Sequence, residues 1–117
     1  MSLASLFARL TSSVSVPAIE HEDFEKACLE GHCHVIDVRE PHEYAAGHIP
    51  GALNMPLSAF APSDLPKDKP VILSCRSGAR TLQGLEMAQA AGRADIHTHF
   101  QGSMNAWVAA GLPVEHG

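Results

Sequence analysis

The sequence predicts an α/β domain: a parallel sheet covered by helices on both faces. Three observations carry this. Past residue 16, short apolar runs alternate with helix-like segments, the pattern of strand–helix–strand units. The chain has 117 residues, which suits one domain with one core. The clearest apolar run, "VILS" (71–74), ends directly in a loop that opens a helix.

The elements follow in order. At the N-terminus, Leu3, Leu6, Phe7 and Leu10 fall at i, i+3, i+4, i+7 and make one apolar stripe. Residues 1–16 are therefore expected to be an amphipathic extension that packs on the domain or on a partner, and residues 17–117 to be the domain itself. "EHEDFEKACLEG" (20–31) predicts a helix, with acids in its first turn, Phe24, Ala27 and Cys28 as its stripe, and Gly31 to end it. "HVIDV" (34–38) predicts a strand. "PHEYAAG" (41–47) has Pro first and Gly last, the frame of a short helix. "ALNM" (52–55) is a short strand, and "PSDLPKDKP" (62–70) a proline-rich surface loop. After the 71–74 strand, "ARTLQGLEMAQAAG" (79–92) predicts a helix that turns Leu82, Leu85, Met87 and Ala88 to the sheet. "DIHTHF" (95–100) is a strand and "SMNAWVAAG" (103–111) a last helix, with Trp107 in the core.

Composition narrows the setting. Hydrophobic residues make up 45% of the chain and mean hydropathy is near zero, as in ordinary globular proteins. The formal net charge of -5 supplies no basic face for nucleic acid. Three cysteines, Cys28, Cys33 and Cys75, are no disulfide framework, so a reducing, cytoplasmic setting is expected. No apolar run is long enough to span a bilayer. The first residues lack a charged start followed by a long apolar stretch, so no secretory signal is expected.

In such a sheet, ligands sit where strand carboxyl ends meet helix N-termini. Three stretches should meet there: "REPHEY", "GHIPGA" and "CRSGAR". The last has the chemistry. A loop that closes a strand and opens a helix has backbone N–H groups without intrahelical partners, and these can form an anion nest. Gly78 lets the backbone pass close to a bound group. Ser74 and Ser77 add hydroxyls, and Arg76 and Arg80 add charge. Cys75 at the mouth of this loop should be a depressed-pKa thiolate, a nucleophile for an electrophilic and anionic substrate. An inert buried cysteine does not need flanking Arg and Gly. Cys28 and Cys33 have no adjacent cation and are expected to be inert.

The remaining candidates are supporting. Asp37 and Arg39 close a strand and fit a structural ion pair that fixes the loop, with Glu43 as a partner for Arg39. His48 in "GHIPGA" can be a general acid, but fits better as a satisfied hydrogen-bonding group. "HCH" (32–34) and "HTH" (97–99) place two imidazoles on one strand face each, a chelating pattern. His32 and His34, however, lie at the amino end of their strand, away from the cysteine loop, and no metal site is expected.

Taken together, "VIDVREPHEYAAGHIPGALNMPL", "VILSCRSGARTLQGLEMAQAAG" and "FQGSMNAWVAAGLPV" resemble the rhodanese family of thiosulfate sulfurtransferases, over roughly residues 17–115. The resemblance implies a five-stranded parallel sheet in a single rhodanese-like domain. It implies that Cys75 carries sulfane sulfur as a persulfide, and that the strands of the two His-x-His pairs are not neighbours. "CRSGAR" looks like the Cys-Arg-x-Gly-x-Arg form linked to thiosulfate users, so Arg76, Ser77, Gly78, Ala79 and Arg80 match the anion-binding loop. One departure is Gly102-Ser103, where the family usually has Gly-Gly; serine is acceptable there as a helix N-cap, so a structural accommodation is expected.

Four residues separate Cys75 from Arg80. The related phosphatases use a loop one residue longer, wide enough for phosphate, so the tighter ring favours a single terminal sulfur. The implied reaction takes sulfur from thiosulfate to cyanide, glutathione or a protein thiol, with no metal or organic cofactor, no nucleic acid and no membrane. A persulfide carrier serving a protein partner fits the same residues. An interaction module on this fold would usually lack the cysteine.

Overall fold

The computed structural model describes residues 21–117, with side chains from Phe24 onward. The apolar stripe of Leu3, Leu6, Phe7 and Leu10, and the proposed 1–16 extension, lie outside the described residues. The elements are α1 (His21–Leu29), β1 (His34–Asp37), α2 (Pro41–Ala46), β2 (Leu53–Asn54), β3 (Val71–Ser74), α3 (Ala79–Ala90), β4 (Thr98–His99) and α4 (Ser103–Ala109). All strand pairings are parallel, in the order β2-β1-β3-β4. Among the described residues the sheet therefore has four strands, not the five implied by resemblance. The expected 95–100 strand pairs over only two residues: Asp95 and Ile96 turn back to Arg93 before it, and the Phe100 N–H makes the last bond to β3, to the Leu73 carbonyl at 2.9 Å.

The period of two along each strand sorts the core into two layers. On one face, Val35 and Ile72 meet Phe24, Ala27, Met104 and Trp107 from α1 and α4. Phe24 stacks on Phe100 at 4.2 Å and meets Trp107 edge-on at 5.9 Å. Trp107 is fully buried, and its indole N–H donates to the Pro113 carbonyl at 2.7 Å. On the other face, Ile36, Val38, Val71 and Leu73 meet Leu85 and Ala88 of α3.

Helix α3 turns a different side to the sheet than its apolar residues suggest. The buried positions are Thr81, Gly84, Leu85 and Ala88, while Leu82 and Met87 are exposed. The spacing i, i+3, i+4, i+7 is kept, but two of its four members are not apolar. A Cβ at Gly84 would lie 2.9 Å from the Leu73 side chain, so helix and strand approach through the glycine. The proline-rich stretch is less of a free surface loop than expected. It contains a short 3-10 turn (Pro62–Asp64) and a buried Leu65, and Arg93 clasps it by donating to the Pro62, Leu65 and Pro66 carbonyls at 2.7–3.0 Å.

Among the described residues, no helix is long and apolar enough to cross a membrane, and no group of three or more His, Cys, Asp or Glu side chains could hold a metal ion. β3 separates β1 from β4, so the two His-x-His pairs are not on neighbouring strands. His34 instead shares a 2.8 Å contact with Asp68.

Candidate active site

Cys75 follows the last residue of β3, at the carboxyl edge of the sheet, and is 1% exposed. Its loop is held from outside by α4. The Met104 N–H donates to the Cys75 carbonyl and the Asn105 N–H to the Arg76 carbonyl, both at 3.0 Å. These are helix-start donors with no partner inside their own helix. With the loop's carbonyls drawn toward α4, its N–H groups are left to face the sulfur. Gly78 N–H lies 3.1 Å from Cys75 Sγ. Gly78 itself has φ 103°, and a Cβ there would sit 2.3 Å from the Gln101 carbonyl oxygen. Its smallness thus admits a neighbouring loop, where the sequence suggested room for a bound group.

The electrostatics of Cys75 are a contest. Burial is the largest influence and opposes ionisation, but the N–H groups of Thr81 and Gly78, the Ser103 hydroxyl and the Arg80 N–H outweigh it. The thiol ends below its ordinary value. Three of these donors are backbone N–H groups of the kind expected where this loop opens a helix, and the fourth is the Ser103 hydroxyl. Cys28 and Cys33 have no such donors: burial pushes them up to about 11 and about 12.

The loop arginines diverge. Arg80 is held in a two-pronged ion pair with Glu43, at 2.6 and 2.9 Å. Glu43 also accepts the Glu40 N–H at 3.1 Å, closing the first turn of α2. It therefore ties α2 to the cysteine loop, and the Arg80 bond holds its carboxyl down at about 2. The expected Glu43–Arg39 pair is absent. Arg39 pairs with Asp37 at 2.8 Å and donates to the Gly47 carbonyl at 2.8 Å, a buried clasp across the β1 end. Arg76 is exposed and makes no ion pair among the described residues. It borders a cleft of about 610 Å³, lined also by Arg39, His42, Glu43, Met104 and Val108. Ser77 is exposed at the tip of the loop, and Ala79 is the exposed first residue of α3.

His48 is buried, stacked on the Tyr44 ring at 3.7 Å and bonded through Nδ1 to the Tyr44 carbonyl at 2.8 Å. Its ring is taken up by Tyr44 on both counts, which suits a structural part.

Three contributors escaped sequence reasoning. Thr81 Oγ1 is 2.7 Å from the Gly78 carbonyl and 2.6 Å from His99 Nδ1. Both contacts are satisfied when Nδ1–H donates to Thr81 and Thr81 donates to Gly78. Burial favours the neutral form of His99. The third is Ser103. Its departure from Gly-Gly was visible, but it does not cap a helix: its Oγ accepts the Cys75 N–H at 3.0 Å.

The sequence matches the Rhodanese-like domain family over residues 20–110. It is 40% identical over 84 residues to the "Sulfurtransferase" of Allochromatium vinosum, covering 68% of this chain and 76% of that one. An uncharacterized Synechocystis protein is 41% identical over 81 residues, covering 68% of this chain; the match spans 45% of that relative's length. The crystal structure of a rhodanese-related protein from Thermoplasma volcanium superposes with a TM-score of 0.73 at 26% identity, covering 86% of this chain and 98% of that one.

Proposed function

The chain belongs to the rhodanese-like domain family, and on that premise we propose that it is a thiosulfate sulfurtransferase working through a Cys75 persulfide. The observation that carries this is the buried Cys75 thiol held below its ordinary value by loop N–H groups. Arg80, with four residues between it and Cys75, closes that loop by its pair with Glu43.

The Cys75 thiolate attacks the outer sulfur of thiosulfate, whose sulfonate end is drawn to Arg76 in the cleft. The S–S bond breaks and sulfite leaves with its electron pair. The loop N–H groups hold the resulting persulfide as an oxyanion hole holds developing charge. An acceptor thiolate or cyanide then takes the outer sulfur and Cys75 returns to thiolate. No proton, metal or organic cofactor is consumed.

The test is intact mass after incubation with thiosulfate. A gain of one sulfur atom, absent in Cys75→Ser, is expected; an unchanged mass overturns the reading. Donor and acceptor should give parallel double-reciprocal lines, because the covalent intermediate forms before the acceptor reacts. An aryl phosphate should not be turned over, since the loop is a residue short for phosphate.

A second reading, a persulfide carrier for a protein thiol, is favoured by the cleft rim. Val108 is 57% exposed beside Met104 and Val114 there, and exposed apolar surface next to a reactive group suits a polypeptide acceptor. Faster discharge to a cysteine peptide than to free glutathione supports this reading, and the reverse rejects it.

A further inference from the structure

Ser103 has a φ of 48°, the one positive value for a non-glycine residue among the described residues. It is fully buried. Left-handed backbone is disfavoured for any residue with a Cβ, and glycine would hold it without strain. The hydroxyl is therefore kept at a cost, and its neighbours show where it acts. Ser103 Oγ accepts the Cys75 N–H at 3.0 Å. It lies 2.7 Å from the Phe100 carbonyl oxygen and 3.8 Å from Cys75 Sγ. A hydroxyl has one proton, so it serves the carbonyl or the sulfur but not both. A neutral thiol is a weak acceptor, whereas a thiolate makes a charge-assisted bond.

We propose that Ser103 is a further catalytic residue: its hydroxyl proton turns from the Phe100 carbonyl to Cys75 Sγ when that sulfur carries negative charge, and so stabilises Cys75 as the leaving group of sulfur delivery. This rests on the sulfur-transfer reading above. In the persulfide, charge resides on the outer sulfur, away from Ser103. In discharge, the acceptor thiolate bonds to the outer sulfur, the S–S bond breaks and its electron pair returns to Sγ. The acceptor departs as a persulfide, and total charge is unchanged. In loading the flow is opposite: Sγ gives up its charge to the new S–S bond. A donor on Sγ thus speeds discharge, while it makes the thiolate a slightly poorer nucleophile.

The charged and titratable groups around Cys75 come from several elements. They are Arg80 of α3 with its partner Glu43 of α2, Asp37 and Arg39 at the β1 end, Arg76 of the loop, and His99 of β4 through Thr81. Replacing Ser103 alters none of them.

The experiment uses Ser103→Gly, which removes the hydroxyl and relaxes the backbone, and Ser103→Ala, which removes it and keeps the Cβ. Iodoacetamide alkylation against pH gives the Cys75 pKa, and rapid-mixing kinetics give loading by thiosulfate and discharge to glutathione separately. Both variants should raise the thiol pKa by about one unit, tenfold in thiolate at neutral pH. Discharge should slow about tenfold, while loading above the thiol pKa should hold or rise. An unchanged pKa overturns the proposal. So do equal losses in both half-reactions, or a pKa shift that differs between the variants in step with their melting temperatures. If thiosulfate never loads the wild-type chain, the sulfur-transfer reading fails by itself, and the alkylation profile still decides whether Ser103 holds the thiolate.

Discussion

Cys33 and Cys75 are both buried at the edges of one sheet, yet their thiols move in opposite directions. Cys33 stands just before β1, at the amino end. There burial raises its pKa to about 12, Cys28 adds to the rise, and Lys69 only partly offsets it. The next N–H along, that of His34, is taken by the Pro70 carbonyl. Cys75 stands just after β3, at the carboxyl end, where burial also opposes ionisation but the chain is turning into α3. A loop that opens a helix has N–H groups left over, and here they point at sulfur. Burial alone makes a cysteine inert. Burial together with unpaired backbone donors makes it an anion site. The edge of the sheet decides which, because in a parallel sheet every strand-to-helix turn of this kind lies on the same side.

The largest expected effect separates these two cysteines directly. Cys75→Ser should abolish thiosulfate:cyanide turnover and leave the fold intact by circular dichroism. Cys33→Ala should keep the turnover and cost about 1 kcal/mol of stability from the lost core volume, read by urea unfolding. Turnover that survives in Cys75→Ser, or vanishes in a folded Cys33→Ala, breaks the contrast.

The next effect concerns how the active end is held. Arg76 is exposed in the cleft, so Arg76→Ala should mainly raise the KM for thiosulfate, as loss of ground-state binding does. Arg80→Ala strands Glu43 beside the loop, so it should lower kcat and raise the Cys75 pKa. A charge-assisted contact is worth roughly 1.5–3 kcal/mol, which places each effect at about ten- to a hundredfold. Steady-state kinetics with an alkylation pH profile check this. Equal KM effects from both variants would show that the arginines share one role.

Much of this arrangement was legible in the sequence, and the losses have a common cause. Strand–helix alternation and the Cys-Arg-x-Gly-x-Arg loop are local patterns, and they located the sheet and the candidate nucleophile. The buried face of α3 was misjudged because Thr81 and Gly84 are not apolar. Thr81 is buried by bonds to Gly78 and His99, and Gly84 by the closeness of Leu73. Glu43 was assigned to Arg39, four residues away, when its partner is Arg80, 37 residues on. Ser103 was seen as a helix cap because its neighbour in space, Cys75, is 28 residues earlier. Periodicity reports what a segment does with its own residues. Partner choice across the fold depends on which loops the sheet brings to one edge.

The smallest expected effect tests that long-range partner. Arg80 holds the Glu43 carboxyl at about 2, well below its ordinary 4.5. A carboxylate whose pKa is lowered on folding stabilises the native state when ionised. The contribution is fully present above pH 4.5, and is lost as pH falls toward 2. The pair is only part-buried, with Arg80 33% and Glu43 19% exposed, so solvent screening leaves it on the order of 1 kcal/mol. Glu43→Gln should therefore be less stable than wild type by about that much at pH 7, and the gap should narrow steadily between pH 4.5 and 2. The Cys75 pKa in this variant should rise, since Arg80 loses the anchor that sets the loop. Urea unfolding of both proteins across this range gives the first result, and alkylation gives the second. A gap that stays constant down to pH 2 would show that the tie between α2 and the cysteine loop carries no charge energy.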